Sequence, residues 1–136
     1  MAGTIGTGHP TICPTLLYRD AKAAIKQLTE GFGFTRAALY EDEAGVVLHA
    51  ELTYGNGMVM LGSAGHEGVF TTALRGAGPA GVYVTVEDVD AHHRRAVAHG
   101  VEILMPPTDK EYGSRDYMAR DTEGNVWSFG TYAPGG

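Results

Sequence analysis

The sequence predicts an α+β fold: two βαβββ modules in tandem within a single domain, 1–136. Three observations predict it. The first is that short alternating strand patterns give way to helical spacing after Asp20 and again after Asp88. The second is that both halves run in one order: strand, helix, strand, strand, strand. The third is a shared register. Asp20 and Asp88 lie 68 positions apart, as do Leu16 and Val84, and Leu61 and Phe129, while Gly33 and Gly100 fall one short. The expected boundaries are 11–63 for the first module, 64–79 for a Gly-rich linker and 80–132 for the second.

Residues 1–10 have no periodicity and read as a loose arm. Thr11 to Tyr18 reads as a strand, with Pro14 marking an edge or a bulge. Asp20 stands at an N-cap position; Ala24, Ile25, Leu28 and Phe32 form the apolar stripe of a short helix, which Gly31 and Gly33 end. Strands follow at Thr35–Tyr40, Val46–Tyr54 and Met58–Ser63, the last two joined by the hairpin signal Gly55-Asn56-Gly57. The linker carries Phe70 and Leu74 as candidate anchors. In the second half the elements are a strand at Gly81–Val86, a helix capped by Asp88 and ended by Gly100, and a strand at Val101–Met105 stopped by Pro106-Pro107. Strands at Gly113–Asp121 and Asn125–Tyr132 complete it, joined by a turn in which Asp121 bonds ahead and Gly124 supplies positive φ.

Bulk properties exclude several classes. The net charge is −6, and the 10 Lys and Arg do not cluster apart from Arg94-Arg95, so no nucleic-acid footprint is present. No apolar run reaches the length of a membrane span, and the first residues lack the pattern of a signal peptide. Cys13 is the only cysteine, which excludes an intrachain disulfide framework. The expectation is a soluble cytoplasmic protein.

The Asp-capped helix ending in glycine, the run Val86-Glu87-Asp88-Val89-Asp90-Ala91 and the turn Asp121-x-x-Gly124-Asn125-x-Trp127 together resemble the glyoxalase, bleomycin-resistance and extradiol-dioxygenase (vicinal oxygen chelate) superfamily. The resemblance spans about residues 11–132; Thr122 departs from it, standing where the family usually has proline. It implies a curled eight-stranded mixed sheet around a cleft, helices on the outer face, and a homodimer with the cleft at or near the interface. In metal-using members, His, Gln or Glu ligands come from the first and last strands of each module. The matching positions are Cys13 and Gly81, seven before each cap aspartate, and Ser128, four after the turn glycine, with Met60 68 earlier. That set does not suit a hard or borderline divalent ion: glycine has no side chain, a thioether suits Cu(I), and a lone cysteine falls short of the three ligands of a catalytic zinc. The expectation is no metal and no cofactor, as in the metal-free bleomycin-resistance-like branch.

Strand alternation then sorts the side chains. Cys13, Thr15, Leu17, Met58, Met60, Tyr83, Thr85 and Ser128 are expected on the cleft face; the offset of 68 from His49 adds Tyr117. His49, Glu51 and Thr53 are expected to face the cleft, with Leu48, Ala50 and Leu52 in the core beside Trp127 and Phe129. His92, His93 and His99 are expected on the solvated face of the second helix, with His66 in the linker and His9 in the arm. The lining is mostly apolar with few polar tips, the make-up of a small-molecule pocket. Together with the resemblance to the bleomycin-resistance branch, this implies as the leading function sequestration of a hydrophobic or aromatic ligand, such as an antibiotic, without metal. The alternative is a metal-independent isomerase or lyase using His49 and Glu51 as acid and base, with Tyr117 or Tyr83 orienting the substrate; a third is a metal-dependent glyoxalase or dioxygenase.

Overall fold

The structure is a computed structural model that describes residues 10–65, 68–74, 78–111 and 113–133. The readings of the N-terminal arm and of His9 and His66 lie outside the described residues. The first module runs β1 (Thr15–Tyr18), α1 (Ala21–Lys26), a π-helical segment (Gln27–Gly31), β2 (Thr35–Glu41), β3 (Val47–Tyr54) and β4 (Gly57–Ser63). A short α2 (Val69–Leu74) follows, and the second module runs β5 (Gly81–Thr85), α3 (Val89–Ala98), β6 (Glu102–Asp109), β7 (Arg115–Arg120) and β8 (Val126–Gly130). The strands form two separate four-stranded sheets, ordered β1-β4-β3-β2 and β5-β8-β7-β6. This corrects the single eight-stranded sheet: the two sheets do not join within the chain.

The repeat is visible in the pairing. Parallel β1 and β4 set Leu16 opposite Leu61, and parallel β5 and β8 set Val84 opposite Phe129. Both helices start at an aspartate whose carboxylate accepts an N–H three residues on, Asp20 from Ala23 and Asp88 from Ala91. Each helix covers one face of its own sheet, because alternate strand residues on that face are apolar. Leu16, Tyr18, Ala50, Leu52, Val59 and Leu61 are buried there in the first module, and Val86, Tyr117, Ala119, Trp127 and Phe129 in the second.

The helix layers also meet each other. Phe32, at the end of the π-helical segment, packs its ring 4.8 Å from Phe129 and 5.8 Å from Trp127. The core is therefore continuous across the two modules.

Three expectations about elements change. β6 continues through Pro106 and Pro107 to Asp109, because it is an edge strand and its pairing with β7 is irregular between Met105 and Thr108. Leu48 is 40% exposed, not core: the β2–β3 pairing slips between Tyr40 and Glu41, and Val47 takes the buried place. The segment read as linker contains α2, in which Thr71 is buried and Phe70 is 48% exposed, so Phe70 is not an anchor.

Candidate functional site

The faces of the sheets opposite the helices are open. Two rows of side chains cross them in matching register. In the first sheet Thr15, Met60 and Glu51 lie side by side across β1, β4 and β3. In the second sheet Tyr83, Ser128, Met118 and Met105 do so across β5, β8, β7 and β6. Leu17 and Met58 share the first face, and all of these side chains are at least partly accessible. The four methionines within the described residues, Met58, Met60, Met105 and Met118, thus all stand on the open faces.

The polar groups on these faces gather mainly in two clusters, around His49–Glu51 and around Tyr83–Thr85. His49 Nε2 lies 2.8 Å from Glu51 Oε2, on a strand where their alternation sets both outward. Tyr40, opposite His49 on β2, stacks on the imidazole at 5.9 Å. On the second sheet the Tyr83 and Thr85 hydroxyls both donate to the Tyr132 carbonyl, at 2.8 and 2.9 Å. Asp116 is buried at the same face and accepts from the Ser114 hydroxyl. A Cβ on Gly130 would overlap the Asp116 carboxylate and come within 2.8 Å of the Tyr83 hydroxyl, so glycine makes room for both.

Two expected residues are placed differently. Cys13 precedes β1, half-buried, with its thiol 3.8 Å from the Pro10 carbonyl, so strand alternation does not orient it. Tyr117 faces the core and is fully buried, opposite Phe129. The reason is turn length. In the first module Tyr54 pairs with Gly57 around two turn residues; in the second Asp121 N–H donates to the Asn125 carbonyl around three. The offset is therefore 68 on β8 but 67 on β7, so His49 corresponds to Asp116, and Glu51 to Met118. The pair Gly33 and Gly100 already carried that offset of 67 in the sequence.

His92 is a third correction. It is buried, not solvated, at the junction of the modules. Its Nε2 lies 2.7 Å from the Phe32 carbonyl, and its Nδ1 lies 2.6 Å from the Tyr117 hydroxyl. The carbonyl can only accept, so Nε2 carries the proton and Nδ1 accepts from Tyr117. Burial holds the imidazole pKa below its ordinary value, the Phe32 carbonyl opposes that, and Arg95 adds to it. Burial likewise pushes the Tyr117 phenol up. The helical period in fact sets His92 on the buried stripe with Val89 and Ala96, a signal the expectation of a solvated face overlooked; Tyr117 and Phe129 of its own sheet cover it together with Phe32 of the other module.

The turn after β7 is a second junction. The Asp121 carboxylate accepts from the N–H groups of Glu123 and Asn125, the Asn125 amide, the Trp127 indole at 3.0 Å and the Tyr18 hydroxyl at 2.6 Å. Burial, and then the neighbouring Asp121 charge, push the Tyr18 phenol far up. Glu123 reaches across to the N–H groups of Arg19 and Asp20, at 2.7 Å each. The motif that carried the family resemblance is thus a structural clasp.

A cavity of about 750 Å³ lies between the Gly55–Asn56 turn and the β5–α3 corner, and is lined by Phe34, Tyr54, Val86, Glu87 and Arg95 among others. The sequence reading missed it. Burial raises the Tyr54 phenol pKa, with Arg95 lowering it and Glu87 raising it.

The four positions expected to hold a metal in metal-using relatives carry Cys13, Met60, Gly81 and Ser128. This donor set does not fit a divalent ion. Among the described residues, no group of three His, Cys, Asp or Glu converges to hold one. No helix among them is long and apolar enough to cross a membrane.

Comparisons with known proteins agree on the architecture. The chain is 35% identical to TioX from Micromonospora sp. ML1, with a TM-score of 0.74 over 90% of this chain and 95% of that one. A member of the glyoxalase/bleomycin resistance protein/dioxygenase superfamily from Sphaerobacter thermophilus DSM 20745 shares the fold at TM-score 0.66 and 16% identity, covering 87% of this chain and 93% of that one. An uncharacterized protein of Mycobacterium tuberculosis, strain H37Rv, is 29% identical over 127 residues, covering 90% of this chain and 74% of the relative. The model of the Glyoxalase/Bleomycin resistance protein/Dioxygenase superfamily matches residues 8–129, and the chain belongs to that superfamily.

Proposed function

We propose that the protein sequesters a hydrophobic or aromatic small molecule on its open sheet faces, without metal and without covalent chemistry, as a cytoplasmic homodimer. The observation that carries this reading is the lining itself. Four methionines and Leu17 stand on these faces beside Thr15 and Ser128, and the remaining polar groups are gathered around His49–Glu51 and Tyr83–Thr85. Unbranched, polarisable methionine adapts to varied ligand shapes. The donor set at the family's metal positions is consistent with it. Neither sheet closes within one chain, and a second copy would supply the wall that turns two open faces into a cleft.

Native mass spectrometry of protein taken from its host is the direct test, since it reports dimer mass, metal and retained ligand together. The expected result is a dimer with an organic adduct and no metal. A metal-loaded protein, or one that carries nothing and whose melting temperature no aromatic compound raises, would overturn the reading.

The 2.8 Å contact of His49 with Glu51 on an open face favours a second reading, a metal-independent isomerase or lyase in which this pair moves a proton. Tyr83, not the buried Tyr117, would then orient the substrate. Under that reading His49→Ala abolishes turnover while ligand binding survives; unchanged turnover dismisses it.

A further inference from the structure

The repeat makes Val86, Glu87 and Asp88 the counterparts of Tyr18, Arg19 and Asp20. In the first module these positions have an occupant, the turn that follows β7. Asp121 takes the Tyr18 hydroxyl, and Glu123 takes the Arg19 and Asp20 N–H groups and stands 3.6 Å from the Arg19 guanidinium. In the second module the matching turn is Gly55–Asn56. It is shorter and brings no carboxylate, and the 750 Å³ cavity opens between it and Val86–Asp88.

The residues facing this gap also differ in chemistry. Val86 replaces Tyr18, so the floor is apolar and asks for no hydrogen bond. Phe34 and Tyr54, with ring centroids 5.4 Å apart, form an aromatic wall. Glu87 stands where Arg19 draws in a carboxylate, which reverses the sign of the rim. Arg95, across the cavity, gives its Nε and Nη2 donors to the Glu30 and Thr29 carbonyls and keeps its positive charge on the Tyr54 side, so the negative side of the cavity is the rim at Glu87. Asp88 adds a second negative charge, and its carboxylate caps α3.

We propose that this cavity, which borders the open sheet faces at Met58, Tyr83 and Thr85, is a second ligand site, centred on Val86 and Glu87, for a small organic cation carrying one aromatic ring. The ring lies on Val86, Phe34 and Tyr54, and the ammonium group faces Glu87. Aromatic faces attract a cation through their quadrupole, and the net charge of −6 raises the local concentration of cations.

The test is an amide NMR titration of the full-length protein with benzylamine at neutral pH, with benzoate as the same ring bearing the opposite charge. Benzylamine should shift the resonances of Tyr54–Gly57 and Glu87–Ala91, and added salt should weaken its binding. Glu87→Gln, on an exposed side chain, should raise Kd at least about threefold, the loss of one rim charge pair. Ala91→Leu, which fills the cavity from α3, should abolish the shifts. The proposal is overturned by the absence of shifts at millimolar benzylamine, by shifts confined to Met60, Met118 and Ser128, or by benzoate binding as tightly. Affinity unchanged in Glu87→Gln, or shifts that persist in Ala91→Leu, would overturn it as well.

Discussion

Both oxygens of Asp121 accept several hydrogen bonds, and the donors come from both modules. Oδ1 takes the Glu123 and Asn125 N–H groups; Oδ2 takes Tyr18, Trp127 and the Asn125 amide. Removing the carboxylate leaves a buried phenol and a buried indole N–H without an acceptor. Asp121→Ala should therefore lower the unfolding free energy by about 3 kcal/mol or more. Urea denaturation measures it, and a loss under about 1 kcal/mol would mean that water replaces the carboxylate. His92 makes a different prediction, about pH. Its folded-state pKa is depressed by burial, so below about 6.5 the unfolded chain binds the proton that the folded chain refuses. The stability it contributes is present above that pH and is lost as pH falls towards the folded pKa. Urea midpoints from pH 7 down to 5 should fall more steeply for the wild-type protein than for His92→Gln. Equal slopes would assign the acid sensitivity to other groups.

At the scale of elements, turns and bulges decide which face a residue occupies. One extra turn residue between β7 and β8 moves Tyr117 to the core, and one slip between β2 and β3 moves Leu48 out of it. Alternation is legible in sequence; the points where it changes phase are not, apart from the hint in Gly33 and Gly100. β4 carries a related constraint. A Cβ on Gly62 would stand 2.8 Å from the Leu48 carbonyl oxygen, a backbone atom that cannot swing aside. Gly62→Ala should cost about 1–3 kcal/mol through forced backbone movement, read as a drop in melting temperature. An unchanged melting temperature would show that the slipped pairing beside Leu48 yields freely.

For the whole molecule, the helix layers of the two modules meet in one core while each sheet keeps an open face. A homodimer that covers those faces predicts twice the chain mass by sedimentation equilibrium and a melting temperature that rises with protein concentration. A monomer whose melting temperature is independent of concentration would remove the second wall from the proposed cleft. The same architecture explains the cavity beside Glu87. The tandem repeat sets two equivalent corners, and unequal turns leave one of them filled and the other hollow.

By itself the sequence determined the order of strands and capped helices within each module, the tandem repeat and the superfamily. Each depends on local patterns: period, capping residues, turn glycines and a short motif. It also determined the chemistry at the four family positions, because Cys13, Met60, Gly81 and Ser128 are what they are whatever surrounds them. Only the tertiary structure decided that His92 reaches the Phe32 carbonyl of the other module, that Asp121 clasps Tyr18 across 103 residues, and that a hollow lies beside Glu87. Those contacts depend on how one module packs against the other. Packing between distant segments is set by summed turn lengths and side-chain volumes, which leave no local pattern to read.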